Sequence, residues 1–176
     1  MTAGATLHAQ GQQYPAKPVR IIIPFPPGNT MDIMSRLIAP RMAERLGQNV
    51  IVDNRAGAGG NIAAEQTAKA PPDGHTFLFA NGGIAIAQSY YRKLEYSALN
   101  DLAPVAFVTS MPHIVCTNIS VPARTIKELV ALGRARPGEI LFSSAGIGNS
   151  DHMAGELMGY MTGAKFTHVP NKGGPQ

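Results

Sequence analysis

Apolar positions change their period several times along the chain, and the changes mark out its elements. Ile21, Ile22 and Ile23 follow Arg20 without a polar interruption, the pattern of a strand buried on both faces because helices cover its sheet on either side. Pro24, Pro26 and Pro27 remove ladder donors, so the strand stops and Gly28 lets the chain turn into a helix that begins near Asn29 to Asp32. Met31, Met34, Ile38, Met42 and Leu46 then recur at helical steps and give one apolar face. Pro40 inside that face predicts a bend, and Gly47 predicts its end. A strand over Asn49 to Val52, a turn at Gly57-Ala58-Gly59-Gly60 and an alanine-rich helix over Asn61 to Ala70 follow. The turn Pro71-Pro72-Asp73-Gly74 leads to a strand over Thr76 to Ala80, the small-residue loop Asn81-Gly82-Gly83 and a short helix over Ile84 to Tyr91.

Strand and helix thus alternate through the first part of the chain, which argues for a parallel sheet covered on both faces and for a ligand crevice beyond the strand ends. Near Leu102-Ala103-Pro104 the pattern changes: Val105 to Thr109 and Ile114 to Thr117 are two strand candidates with little helix between them. Thr125-Ile126-Lys127-Glu128 reads as a capping box that opens a helix to about Arg134, which Pro137-Gly138 ends. A strand over Glu139 to Ser143 runs into Ser144-Ala145-Gly146-Ile147-Gly148-Asn149-Ser150, and Met153, Leu157 and Met161 mark the stripe of the next helix. Strand, small-residue loop and helix start therefore occur here as they do at Gly28. Free backbone N–H groups, hydroxyls and the positive end of a helix all favour an anion, so two such loops facing one another suit a carboxylate.

Composition narrows the classes. With 44% apolar and 15% charged residues the chain of 176 residues is globular, and no apolar run approaches the ~20 residues that a spanning helix needs. The net charge of +4 is spread over Arg41, Arg45, Lys69, Arg92, Lys93, Arg124, Lys127, Arg134 and Arg136 rather than gathered into a stripe with aromatics, which disfavours nucleic acid as a partner. Cys116 is the single cysteine and has no internal disulfide partner; its neighbours Ile114 and Val115 predict a buried thiol.

The remaining chemistry is sparse. Gly57 to Gly60 resembles part of a dinucleotide fingerprint, which keeps open the alternative of a nucleotide-dependent α/β enzyme. Ile62 stands at its sixth position, though, and no acidic residue follows at the ribose-binding distance. Close passage of the loop past its neighbours is the preferred reading. His152 lies in a first helical turn without a His or Cys at ligand spacing, so neither a metal nor another cofactor is expected. Ser143 and Ser144 lack a Gly-x-Ser-x-Gly elbow, and nothing in the sequence marks His152 as a matching base, so no catalytic residue is assigned. Asp32 either stabilises its own helix start or orients polar groups and water around a ligand.

The segments Tyr14-Pro15-Ala16-Lys17-Pro18-Val19-Arg20, Pro24 to Gly28, Asp53-Asn54-Arg55, Ala56 to Asn61, Pro72-Asp73-Gly74, Ser144 to Gly148, His152 to Leu157 and His168-Val169-Pro170 resemble the Bug family of substrate-binding proteins. These are the extracytoplasmic receptors of tripartite tricarboxylate transporters. The resemblance implies an α/β, periplasmic-binding-protein-like, two-lobe (Venus flytrap) architecture: a leader remnant at 1–13, disordered; lobe 1 at 14–104; and lobe 2, incomplete, at 105–176, where the chain stops short of the family norm. It implies a periplasmic location and a non-enzymatic role, capture of a small carboxylated organic acid for the membrane subunits of a transporter. Phe25, Pro26, Pro27, Gly28, Asn29 and Thr30 would line one side of the cleft, and Ser144, Ala145, Gly146, Gly148, Asn149 and Ser150 the other. Asp32, Asn81, Gly82 and His152 complete the candidate ligand-binding set. The chain departs from the family pattern at Asn29, Asn149, Asp151 and Asn171. Its shortness also raises a third reading, a homo-oligomer that self-associates through exposed apolar surface without ligand capture.

Overall fold

The computed structural model describes residues 14–171, so the expected leader remnant at 1–13 lies outside the described residues. Strand β1, Val19–Ile23, is the centre of a parallel sheet in the order β2-β1-β3, with β2 at Val50–Asn54 and β3 at Thr76–Leu78. Ile22 stands opposite Asp53 on one side and Leu78 on the other. Val19, Ile22 and Ile23 are almost wholly buried, as the unbroken isoleucine run predicts for a strand covered on both faces. Each such side chain contributes about 1.5–3 kcal/mol by leaving water. On one face Ile21, Ile23, Phe25 and Met31 form a cluster that Met42, Val52, Phe79 and Ala145 extend. A second cluster gathers Ala64, Ile84 and Tyr96 with Leu78 and Leu102.

Helix α1, Thr30–Leu46, continues through Pro40, which lies exposed within it. Gly47 closes it in the left-handed conformation, φ 66°, and donates its N–H to Ala43 O at 2.9 Å, the glycine stop expected from the sequence. Helix α2, Asn61–Ala68, and helix α3, Gly83–Tyr90, complete the first strand-helix series. Tyr96 donates its hydroxyl to Asn61 Oδ1 at 2.7 Å, so the buried amide at the start of α2 is satisfied. Helix α4, Ile126–Ala135, starts with the predicted capping box: Thr125 Oγ1 accepts from Glu128 N, and the Glu128 carboxylate accepts from Thr125 N.

Strand β4, Ile140–Ser144, pairs in parallel with β5, Phe166–Pro170, and helix α5, Ser150–Thr162, connects them. β5 was visible in the sequence only as a motif around His168, without a strand assignment. A Cβ on Gly155 would collide with the Phe142 ring, and one on Gly133 would lie 2.8 Å from the Phe166 ring. Both helices therefore approach this sheet at glycines.

Two expectations fail between these units. Residues 105–109 and 114–117 form no strand, and Cys116 is exposed rather than buried. Their apolar content suits a strand, but a strand is defined by a ladder partner, and none of the described residues pairs with this stretch. Phe107 and Ile114 accordingly stand in solvent at 85% and 80% exposure.

Candidate functional site

The first loop is set by the start of α1. Asn29 caps the helix with its Oδ1, which accepts from Met31 N at 2.9 Å, while Ile33 N reaches Asn29 O at 3.0 Å. No partner among the described residues takes the N–H of Thr30 or of Asp32, so both remain at the positive helix end. Asp32 is buried, and its Oδ2 accepts from Gly28 N at 2.9 Å while its Oδ1 accepts from Arg36 Nε at 3.0 Å. Arg36 donates onward to Asn54 Oδ1, and Asn54 donates to Phe25 O. The Arg36 hydrogen bond holds the Asp32 carboxyl below the usual carboxylate range, against the opposing effect of burial. These contacts tie Asp32 to the loop 25–28 from beneath. Phe25 places its ring in the core, Pro26 and Asn29 are half-buried, and Pro27, Gly28 and Thr30 are exposed at the loop surface.

The second loop repeats the placing of the glycine and of the helix start, but Asn149, unlike Asn29, does not cap its helix with its side chain. Gly148-Asn149-Ser150-Asp151-His152 matches Gly28-Asn29-Thr30-Met31-Asp32 in position. Asn149 is the residue before α5 and is 2% exposed; His152, in the first turn, accepts from Gly148 N through Nδ1 at 3.1 Å. At the other end of the loop, Ser144 Oγ accepts from Gly146 N at 3.1 Å and lies 2.6 Å from His168 Nε2. His168 and His152 stack at 3.9 Å between ring centroids. Removal from water, and secondarily the neighbouring His152, pushes the His168 imidazole below its ordinary value. The Ser144–His168 pair has the reach of a nucleophile and base, but Ser144 is buried and its oxygen is engaged by the loop backbone. Its geometry is that of a brace.

The two loops meet. Ala145 packs on the cluster that holds Phe25 and Met31. Asn81 Nδ2 donates to Asn149 Oδ1 at 3.4 Å, and Ser150 Oγ donates to the same oxygen at 2.9 Å. Asn81 Oδ1 is buried without a protein partner among the described residues, and Gly82 lies exposed beside it. Tyr91 donates its hydroxyl to Ile147 O at 3.1 Å. A Cβ on Gly59 would lie 2.6 Å from that same carbonyl oxygen, so the Gly57 to Gly60 turn serves close passage, the reading preferred from the sequence. Asp151 faces His113, with Nδ1 and Oδ1 3.1 Å apart. A cavity of about 850 Å³ bounded by Val115, Ile119 and Leu129, and a hollow of about 340 Å³ beside Pro40 and Val52, lie apart from both loops. No cluster of metal-ligating side chains occurs among the described residues.

Sequence reasoning assigned no role to Tyr91 or Arg36 and placed Asn54 and His168 only within family motifs; all four support the loops from other elements. The repeat of strand, small-residue loop and helix start was legible, and it locates both loops.

Comparison with known proteins agrees with this geometry. The profile of the tripartite tricarboxylate transporter family receptor matches residues 34–176. Protein BugT of Bordetella pertussis is 39% identical over 174 residues, which are 98% of this chain and 53% of BugT. Among solved structures, an R. palustris protein with adipate is 37% identical with a TM-score of 0.82 and covers 91% of this chain and 54% of its own. MatC from Rhodopseudomonas palustris with bound malate is 31% identical with a TM-score of 0.80, covering 91% of this chain and 55% of its own. The chain spans about half the length of the curated relatives it matches, and its α/β architecture is half of a periplasmic-binding-protein fold. The chain therefore belongs to the tripartite tricarboxylate transporter family of receptors, the group that includes the Bug proteins.

Proposed function

We propose that this chain supplies the ligand loops of a periplasmic solute receptor that captures a small carboxylated organic acid and presents it to the membrane subunits of a tripartite transporter. The observation that carries the reading is that the second loop packs on the first unit, through Ala145 on the cluster of Phe25 and Met31 and through the Asn81–Asn149 contact, with helix starts at Thr30 and Ser150. Each supplies backbone N–H groups, a hydroxyl and a positive helix end, a set that suits one carboxylate from two sides. Asn81 Oδ1, an acceptor with no protein partner among the described residues, suits an ordered water or a ligand hydroxyl between them. Residues 14–104 carry the first loop and 105–176 the second, with the bending connection near Pro104. Ligand capture shifts an open–closed equilibrium because only the closed arrangement lets both loops touch the solute. No bond is made or broken, and no cofactor takes part.

Adipate and malate, the ligands named with the two structural neighbours, head the test panel. Thermal-shift and calorimetric titration against mono- and dicarboxylates is expected to give a saturable response that Thr30→Val and Ser150→Val each weaken. A folded protein that responds to none of them overturns the reading.

A second reading, self-association without capture, is favoured by the apolar residues that stand in solvent. Phe107, Ile119, Leu141, Tyr160 and Met161 are 85%, 95%, 64%, 88% and 75% exposed, which is the surface character of an interface. A size measurement made with and without the panel acids separates the two readings.

A further inference from the structure

We propose that His152 is the positioning residue of the second ligand loop: its neutral imidazole Nδ1 latches Gly148 N–H, and protonation at that nitrogen releases the loop that presents Asn149 and Ser150. The inference rests on the receptor reading for its ligand and on geometry for its latch. Gly148 donates to Nδ1 at 3.1 Å, and a nitrogen that accepts an N–H carries no proton of its own, so the ring is the Nε2–H tautomer. The reverse ring orientation would set a carbon against a buried donor. A proton on Nδ1 turns the contact into two donors facing each other, and the buried Gly148 N–H loses its partner.

The surroundings leave the loop little alternative. Gly148 has φ +76°, and a Cβ there would lie 3.0 Å from the Tyr91 ring, so the backbone is held in one conformation from both sides. His152 is 6% exposed, stacked on His168 at 3.9 Å and met edge-on by the Tyr90 ring at 5.9 Å. The two glycine N–H groups of the loop thus end on one stacked pair: Gly148 on His152 directly, Gly146 on His168 through Ser144 Oγ. The groups facing His152 divide in their effect. From α5, Glu156 Oε1 lies 3.8 Å from Nε2 and favours a proton; from β5, His168 disfavours a second one. Asp151, the preceding residue, is turned to His113 of the connection between α3 and α4. β4 offers the Phe142 ring and the Ser144 hydroxyl, and α3 the Tyr90 phenol, none of them charged near neutrality.

In the first loop the same position is held by Asp32, which accepts from Gly28 N as a carboxylate. The two latches therefore differ in chemistry, a carboxylate in one loop and an imidazole in the other. A receptor so built loses its grip from the second loop when the His152 imidazole is protonated, while the first loop stays set.

The test uses the whole chain. In ligand-free protein, the Gly148 amide resonance and its exchange protection are followed by NMR between about pH 8 and about pH 5, the span in which imidazoles titrate, and adipate affinity is measured across the same span. The Gly148 amide is expected to move with the His152 ring and to lose protection, and adipate binding to weaken about tenfold, the effect of one lost buried hydrogen bond. His152→Asn places an acceptor where Nδ1 lies but does not titrate; it is expected to hold protection and affinity flat with pH. His152→Leu is expected to bind weakly throughout. A Gly148 amide that stays fixed while His152 titrates overturns the latch. Titration of Gly148 without a response to any acid of the panel supports the latch and overturns the receptor reading.

Discussion

Asp32 and His152 hold the same position in two different helices and do the same work with different chemistry. Each accepts the backbone N–H of the glycine four residues earlier, at 2.9 Å and 3.1 Å respectively. Each is buried, and each has a second partner that orients it, Arg36 for the carboxylate and the His168 ring for the imidazole. The consequence is a pair of loops whose shape is fixed by side chains lying behind them, while the N–H groups of Thr30 and Asp32 have no partner among the described residues. Under the proposed receptor reading, the residues that would touch a solute and the residues that set the loop are separate sets, and mutations should divide accordingly.

Replacing Asp32 removes the acceptor for Gly28 and one of the two partners of the Arg36 guanidinium, which keeps Asn54. Asp32→Ala is expected to cost about 1.5–3 kcal/mol, the worth of hydrogen bonds to a charged group, read as a lower urea midpoint near neutrality. Because the folded carboxyl titrates below its ordinary value of 3.8, its contribution is present above that value and is lost as pH falls through the folded one. The gap between the parent chain and Asp32→Ala should therefore close only in strong acid. A gap that closed near neutrality would show that Asp32 does not accept from Gly28 as a carboxylate.

His168 gives a pH dependence at milder values. Its folded pKa lies below the ordinary 6.5, so between the two the unfolded chain binds the proton and the folded chain does not. Stability then rises with pH in that window: it is complete above 6.5 and falls as pH drops through 6.5 toward the folded value. His168→Gln keeps a polar atom near Ser144 Oγ and removes the titration. Urea midpoints at about pH 8 and about pH 5 should converge in that variant relative to the parent chain. An unchanged slope would mean that other groups carry the acid sensitivity.

The first strand, the helix starts and both small-residue loops could be read directly because local chemistry dictates them: isoleucines for burial, prolines and glycines for the turns, Thr125 with Glu128 for a cap. The braces could not, since Arg36 meets Asn54 and Ser144 meets His168 only after the chain has folded. The same limit explains the failure at 105–117. Val105, Phe107 and Ile114 have the composition of strands, but ladder pairing is a property of two segments, and this stretch has no partner among the described residues. Loop identity was local information; loop support was not.

Gly59 and Gly28 offer a controlled comparison of contact against backbone strain. Both have positive φ, +65° and +85°, but a Cβ at Gly59 would lie 2.6 Å from Ile147 O, whereas at Gly28 nothing lies within 4 Å. Gly28→Ala is expected to cost about 1 kcal/mol from conformation alone. Gly59→Ala carries a comparable strain and must also push the second loop away, so about 2–4 kcal/mol is expected. It should disturb the Tyr91–Ile147 contact as well, which tyrosine fluorescence or the Tyr91 ring resonances would register. Equal effects of the two variants would mean that the loops do not touch at Gly59.

Exposed apolar surface sets the last expectation. Phe107 at 85%, Ile119 at 95% and Tyr160 at 88% exposure each leave a large apolar area in water, at about 25 cal/mol for every square ångström that a partner could cover. Residues 105–117 also present backbone donors and acceptors that no ladder within the described residues uses, and such edges pair with other chains. Sedimentation of the chain at micromolar concentration is therefore expected to give a mass above that of one copy, rising with concentration. A charge at the centre of the surface must be desolvated for association, so Phe107→Asp and Ile119→Asp should return the chain toward a monomer without lowering its helix content. A monodisperse, folded monomer of the parent chain at that concentration excludes self-association and leaves solute capture as the function to be tested.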